Sequence, residues 1–191
     1  MPTVIEKDIT LDFPAGWQVV KYDGDIKQQN ASFYREKIEH QVQNVRGVDV
    51  VCLTAEPSNR LLLIEVKDYR KSATSAEKNI AKLRQTIIQK ALNTISGLYV
   101  AARTHDAELY LVVNQLFQPE LIIEIVLFLE QAAVVEEPRT TRQKFEKQNP
   151  KNAINDLRLD LKSTLNNLGL EFYLRSNNTM QLQDGWSTRM Q

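Results

Sequence analysis

Cysteine, histidine, glycine and proline are all scarce in this chain of 191 residues, which holds one cysteine, two histidines, six glycines and six prolines. The single thiol, Cys52, makes no internal disulfide, and with His40 and His105 far apart no zinc-ligand spacing assembles. Structural zinc and cysteine proteolysis are thereby excluded. So few turn-forming residues also argue against an all-β sandwich and predict helices with a small sheet. Net charge is absent as well. The 24 Lys and Arg face 24 Asp and Glu, which excludes a strongly basic chain that coats nucleic acid by charge alone, so any site for a polyanion must be local. Met1 to Phe13 carries Glu6, Lys7, Asp8 and Asp12 and lacks the uninterrupted apolar core of an export signal, so a cytoplasmic location is expected. Leu121 to Val135 is interrupted by Glu124 and Glu130 and is shorter than the ~20 residues that span a bilayer, so it reads as a buried helix and no membrane is expected as partner.

What is present is an apolar fraction of 42%, enough for one well-filled core, and the length predicts a single domain over 1–191. Trp17 to Tyr22 reads as a strand, and Ser32 to Val45 as a helix with Tyr34, Ile38, Val42 and Val45 on one stripe. A long helix is predicted from about Glu77 to Ala102, where Ile80, Leu83, Ile87, Ala91, Ile95 and Leu98 recur every three or four residues. Glu108 to Val113 reads as a strand and Pro138 to Pro150 as a polar connector. Asn152 to Leu168 reads as an amphipathic helix that stops before Gly169, and Glu171 to Leu174 as a last strand.

The chemistry concentrates in a predicted hairpin. Val48 to Leu53 and Leu61 to Val66 are apolar, β-rich runs separated by a Pro-, Ser- and Asn-containing turn. If Leu53 faces Leu61, then Val51 faces Leu63 and Asp49 faces Glu65, with Lys67 two positions further on the same side. Opposed carboxylates at about 5 Å repel by roughly 3 kcal/mol at an effective dielectric near 20, and a cation relieves that repulsion. Hard oxygen ligands on rigid strands suit Mg²⁺ or Mn²⁺, and a lysine beside them suits the orientation of an attacking water or the offsetting of charge on phosphorus.

The string Gly47-Val48-Asp49-Val50-Val51, followed by Leu61-Leu62-Leu63-Ile64-Glu65-Val66-Lys67, resembles the Asp, then Glu-x-Lys, signature of the PD-(D/E)-x-K superfamily of restriction-endonuclease-like nucleases. With Asp68-Tyr69-Arg70 and the segment Lys90 to Leu98 it is similar to a group of bacterial proteins of that type. Val48 stands where the signature has proline. The resemblance implies an α/β fold, a small mixed sheet flanked by helices in the order α-β-β-β-α-β, with the nuclease-like core over about 30–115 and a C-terminal helical extension over about 116–191. It implies Asp49 and Glu65 as ligands of Mg²⁺ or Mn²⁺, Lys67 as the catalytic lysine, DNA or RNA as partner, and a possible homodimer. Many members add an acid from the first helix. Glu39 flanks the inward stripe and is the candidate for that role, whereas Glu36 points nearly the opposite way.

Arg70 and Lys90, at the strand end and on the long helix, and Arg139 and Arg142, in the basic connector, are the candidate contacts to nucleic-acid phosphates. Two functions follow from different classes. One is a Mg²⁺-dependent nuclease that hydrolyses phosphodiester bonds with metal-activated water. The other is a catalytically inactive nuclease-fold module that binds nucleic acid or protein.

Overall fold

The computed structural model describes residues 1–24, 32–70, 76–131 and 141–190 and, within the helices, all side chains except those of 76–81 and 141–151. The apolar runs on either side of the predicted turn form β4 (Val50–Leu53) and β5 (Arg60–Tyr69). They pair antiparallel with Leu53 opposite Leu61, Val51 opposite Leu63 and Val50 opposite Ile64. β3 (Gln18–Lys21) lies antiparallel on the other side of β4, and β6 (Ile122–Gln131) and β7 (Glu171–Arg175) extend the sheet parallel to β5, in the order β3-β4-β5-β6-β7. A second, three-stranded sheet joins β1 (Thr3–Glu6), β2 (Ile9–Asp12) and β8 (Ser187–Met190), which brings the two ends of the described chain together. The architecture is therefore mixed α/β with two sheets. No helix among the described residues is long and apolar enough to cross a membrane.

Alternation along β5 assigns its two faces. Leu61 and Leu63 belong to the core that α1 (Ala76–Thr104) covers with Leu83, Ile87, Ala91 and Leu98, while Leu62, Ile64 and Val66 pack with Val50, Cys52, Ile9, Leu11 and Trp186 under the smaller sheet. A strand covered on both faces puts whatever polar residues it carries into the interior. Glu65 and Lys67 occupy the α1 face, at the carboxyl end of β5.

Several elements differ from the sequence reading. The helix expected over Ser32 to Val45 is a six-residue π-helical segment, Tyr34–Glu39. The chain then folds back through Asn44, at φ +61°, so that the buried Tyr34 hydroxyl donates to the Val45 carbonyl at 2.7 Å and Val42 faces solvent. The expected strand at Glu108 to Val113 is instead occupied by α2 (Tyr110–Gln115). Asp106 Oδ1 accepts the backbone N–H groups of Glu108 and Leu109 at 3.1 and 3.2 Å, satisfying donors ahead of the first turn, and Leu109, Val112 and Val113 are buried at helical spacing. The expected helix at Leu121 to Val135 is β6 as far as Gln131, and the rest lies outside the described residues. Residues 125–129 are all buried, as a central strand flanked by parallel neighbours requires. The connector is helical from Thr141, where α3 (Thr141–Asn166) begins, and Gly169 at φ +73° follows its end. The region after 116 is thus not a helical extension, since it contributes β6 and β7 to the main sheet and β8 to the other.

Candidate active site

β3 and β5 run in the same direction and β4 runs against both, so the end of β3, the start of β4 and the end of β5 fall at one edge of the sheet. The ladder between β4 and β5 stops at Val50 and Ile64. Beyond it the Asp49 backbone N–H donates to the Ile64 carbonyl at 3.1 Å, and Asp49 Oδ2 accepts the Val66 backbone N–H at 2.6 Å. Asp49 therefore leaves the expected register opposite Glu65 and folds its carboxylate across the strand, where a charge-assisted bond fixes it.

α1 supplies the other half of the site. Thr94 Oγ1 accepts the Val48 backbone N–H at 3.0 Å, and one turn earlier Lys90 points its ammonium into the sheet edge. Lys90 Nζ donates to both Glu65 oxygens at 2.7 Å and lies 3.4 Å from Asp49 Oδ1. Lys67 Nζ donates to Glu65 Oε1 as well. Asp49, Glu65 and Lys90 are all buried, with Glu65 only 1% exposed, and Lys67 is partly so. Burial pushes the Glu65 carboxyl above its ordinary range and the Asp49 charge adds to this, while Lys67 and Lys90 pull it back. Burial works against the Lys67 ammonium, but the charges of Glu65 and Asp49 outweigh it and its pKa is raised. Lys67 is thus held as an ammonium.

A third acid was missed in the sequence. Asp23 follows β3, next to Tyr22, whose backbone N–H donates to the Asp49 carbonyl at 2.9 Å. Burial, then the charge of Asp49 and a hydrogen bond shared with its carboxyl, push Asp23 up to about 7; Glu6 adds to this and Lys21 opposes it. Asp23 Oδ1 is buried with no hydrogen-bond partner among the described residues. The signal that would have found it is strand pairing. Val20 opposite Val51 and Lys21 opposite Val50 carry the residues after β3 to the Asp49 end of the sheet.

The remaining candidates are placed elsewhere. Glu39 is paired with Arg35, and Glu36 is exposed, so the helical acid expected at Glu39 is not among the groups that meet Asp49 and Glu65. Arg70 Nη2 donates to Asp68 Oδ2 at 2.7 Å, two residues back, and its guanidinium is thereby engaged within its own strand end. Lys90, expected as a phosphate contact, is an internal partner of both carboxylates. Arg139 lies outside the described residues, and Arg142 falls in the first turn of α3. Among the described residues no group of three or more His, Cys, Asp and Glu side chains is arranged to hold a metal ion.

The donor set nonetheless suits a small hard cation. Mg²⁺ is commonly held by one or two carboxylates with water in its other positions, and Asp49 and Glu65 supply two, beside a buried Asp23 oxygen that lacks a partner among the described residues. Lys90 already lies against these same oxygens as a monovalent cation, so a divalent ion would take over its role and displace the ammonium. No protein-family model matches the chain, and neither does any curated protein or solved structure.

Proposed function

We propose that this protein is a metal-dependent nuclease of the PD-(D/E)-x-K type that hydrolyses phosphodiester bonds of DNA, or of RNA. The observation that carries the reading is the convergence of Asp49, Glu65 and Lys67 in one buried, ion-paired cluster at the carboxyl end of β5. The antiparallel run β3-β4-β5, continued through α1 into a parallel β6, supports a restriction-endonuclease-like core, although the first helical segment lies between β3 and β4 rather than ahead of three strands.

Asp49 and Glu65 would hold Mg²⁺ or Mn²⁺, which supplies Lewis acidity and a water of lowered pKa. Asp49 is pre-set for this by the Val66 N–H on Oδ2, while Oδ1, 3.4 Å from the Lys90 ammonium, would turn to the cation in place of that ammonium. Lys67 acts as an ammonium. It orients the attacking water and offsets negative charge on the phosphorus centre in a partly dry site, where such charge stabilisation is strong. Lys90 keeps the two carboxylates from repelling each other until substrate and metal arrive.

One observation favours a second reading, in which the module binds without turnover. Lys67 and Lys90 already balance Asp49 and Glu65 charge for charge when Asp23 is protonated. Incubation of linear DNA with the purified protein in Mg²⁺, against an EDTA control, separates the two. Metal-dependent product that disappears in Glu65→Gln supports the nuclease, and absence of product at every Mg²⁺ and Mn²⁺ concentration supports the inactive module.

A further inference from the structure

β5 ends in an alternating row of polar side chains. Glu65, Lys67 and Tyr69 share its α1 face, successive members about 6.8 Å apart along the strand. The proposed chemistry uses the first two and leaves the third without a role. Tyr69 is half-buried, its ring packed against the core that α1 covers, and the charges of Lys67 and Glu65 both reach its phenol. The hydroxyl makes no hydrogen bond among the described residues and, unlike that of Tyr22, is not shut off from solvent. A ring fixed by packing thus presents a free donor beside the site.

The cations around it are committed. Lys90 lies on Asp49 and Glu65, Lys67 on Glu65, Arg70 on Asp68 and Lys21 on Glu6. What Tyr69 can meet follows from its place in the row. In the proposed reading Lys67 attends the phosphorus under attack, and nucleic acid carries a phosphate at every nucleotide, so a donor one step beyond Lys67 faces the next phosphate of the same strand. A phenol is a neutral donor near pH 7, and tyrosine hydroxyls on phosphate oxygens fix position without reading sequence. We infer that Tyr69 is a substrate-binding residue whose hydroxyl donates to a non-bridging oxygen of the phosphate adjacent to the scissile one. The inference rests on the proposed nuclease reading and adds that the substrate is a polynucleotide gripped over neighbouring phosphates, not an isolated phosphodiester.

Tyr69→Phe removes the donor and keeps the ring, so its fold is preserved. Fluorescence anisotropy in EDTA, with two fluorescein-labelled DNA oligonucleotides of unrelated sequence, tests the contact without requiring hydrolysis. The variant binds both about tenfold more weakly than the native chain. Its salt dependence is unchanged, because no cation has been removed, and its Mn²⁺-induced rise in melting temperature is retained. Native affinity in Tyr69→Phe, or no binding of either DNA by the native chain, overturns the contact. A loss confined to one sequence marks a base contact and overturns it too, as does a loss of the Mn²⁺ response, which would make Tyr69 a support of the carboxylates instead. Mg²⁺-dependent cleavage by the native chain beside native affinity in the variant leaves the nuclease reading standing and removes Tyr69 alone. The expected affinity pattern without any product removes turnover alone.

Discussion

The Lys90 ammonium sits 2.7 Å from both carboxylate oxygens of Glu65, so a residue of α1 and a residue of β5 form one buried ion pair across the sheet-to-helix interface. Removing one member of such a pair leaves an uncompensated buried charge, which costs about 3–5 kcal/mol. Lys67 stays on Glu65 and offsets part of this. Lys90→Met should therefore lower stability by about 3 kcal/mol in urea unfolding with EDTA present. Mn²⁺ should restore more stability to the variant than it adds to the native chain, because in the variant it binds the folded carboxylate pair without displacing the Lys90 ammonium. A variant as stable as the native protein contradicts the pairing.

Asp23 gives the site a pH signature. Its carboxyl titrates at about 7 in the fold against an ordinary 3.8, so between those values the folded state holds a proton that the unfolded chain has released. Stability must then fall as pH rises through that window and level off above it, by something of order 2–4 kcal/mol. Asp23→Asn keeps the neutral shape and should flatten this slope, leaving the variant more stable than the native chain at pH 8 and little changed at pH 4. Parallel melting curves for the two proteins from pH 4 to 8 would contradict the assignment.

Much of this site was legible in the sequence, because the turn between two short β-rich runs sets the register of the hairpin. Leu53 opposite Leu61 and Val51 opposite Leu63 follow from a turn between two β-rich runs, and that pairing brings Asp49, Glu65 and Lys67 to one end of the hairpin. Lys90 stood at the edge of the helical stripe, where its direction cannot be decided without the sheet. β6 was illegible because no hairpin turn marks its pairing, which is parallel. A strand buried on both faces shows no alternation, so Ile122 to Gln131 has the same apolar signature as a buried helix. Asp23 carries no pattern of its own, since it follows a four-residue strand and depends on a pairing partner thirty residues further on.

Gly97 of α1 packs closely against Tyr22, which follows β3. A Cβ at Gly97 would clash with the Tyr22 hydroxyl oxygen, which is itself buried with no hydrogen-bond partner among the described residues. Gly97→Ala should destabilise by about 1–3 kcal/mol through overpacking, although alanine favours the helix. Adding Tyr22→Phe removes the clashing oxygen and should recover most of that loss, a coupling read directly from a double-mutant cycle in urea. Additive effects would mean that the two residues do not meet.

The most direct test of the account is single-turnover cleavage of linear DNA, duplex and single-stranded, in Mg²⁺ by the native chain and by Lys67→Ala, with thermal melting in Mn²⁺ to confirm that the variant still folds and binds the ion. Loss of a positioned ammonium should slow hydrolysis by about 10²–10⁴-fold while the Mn²⁺-induced rise in melting temperature is retained. Equal rates in the two proteins, or no Mg²⁺-dependent product from the native chain, would contradict it.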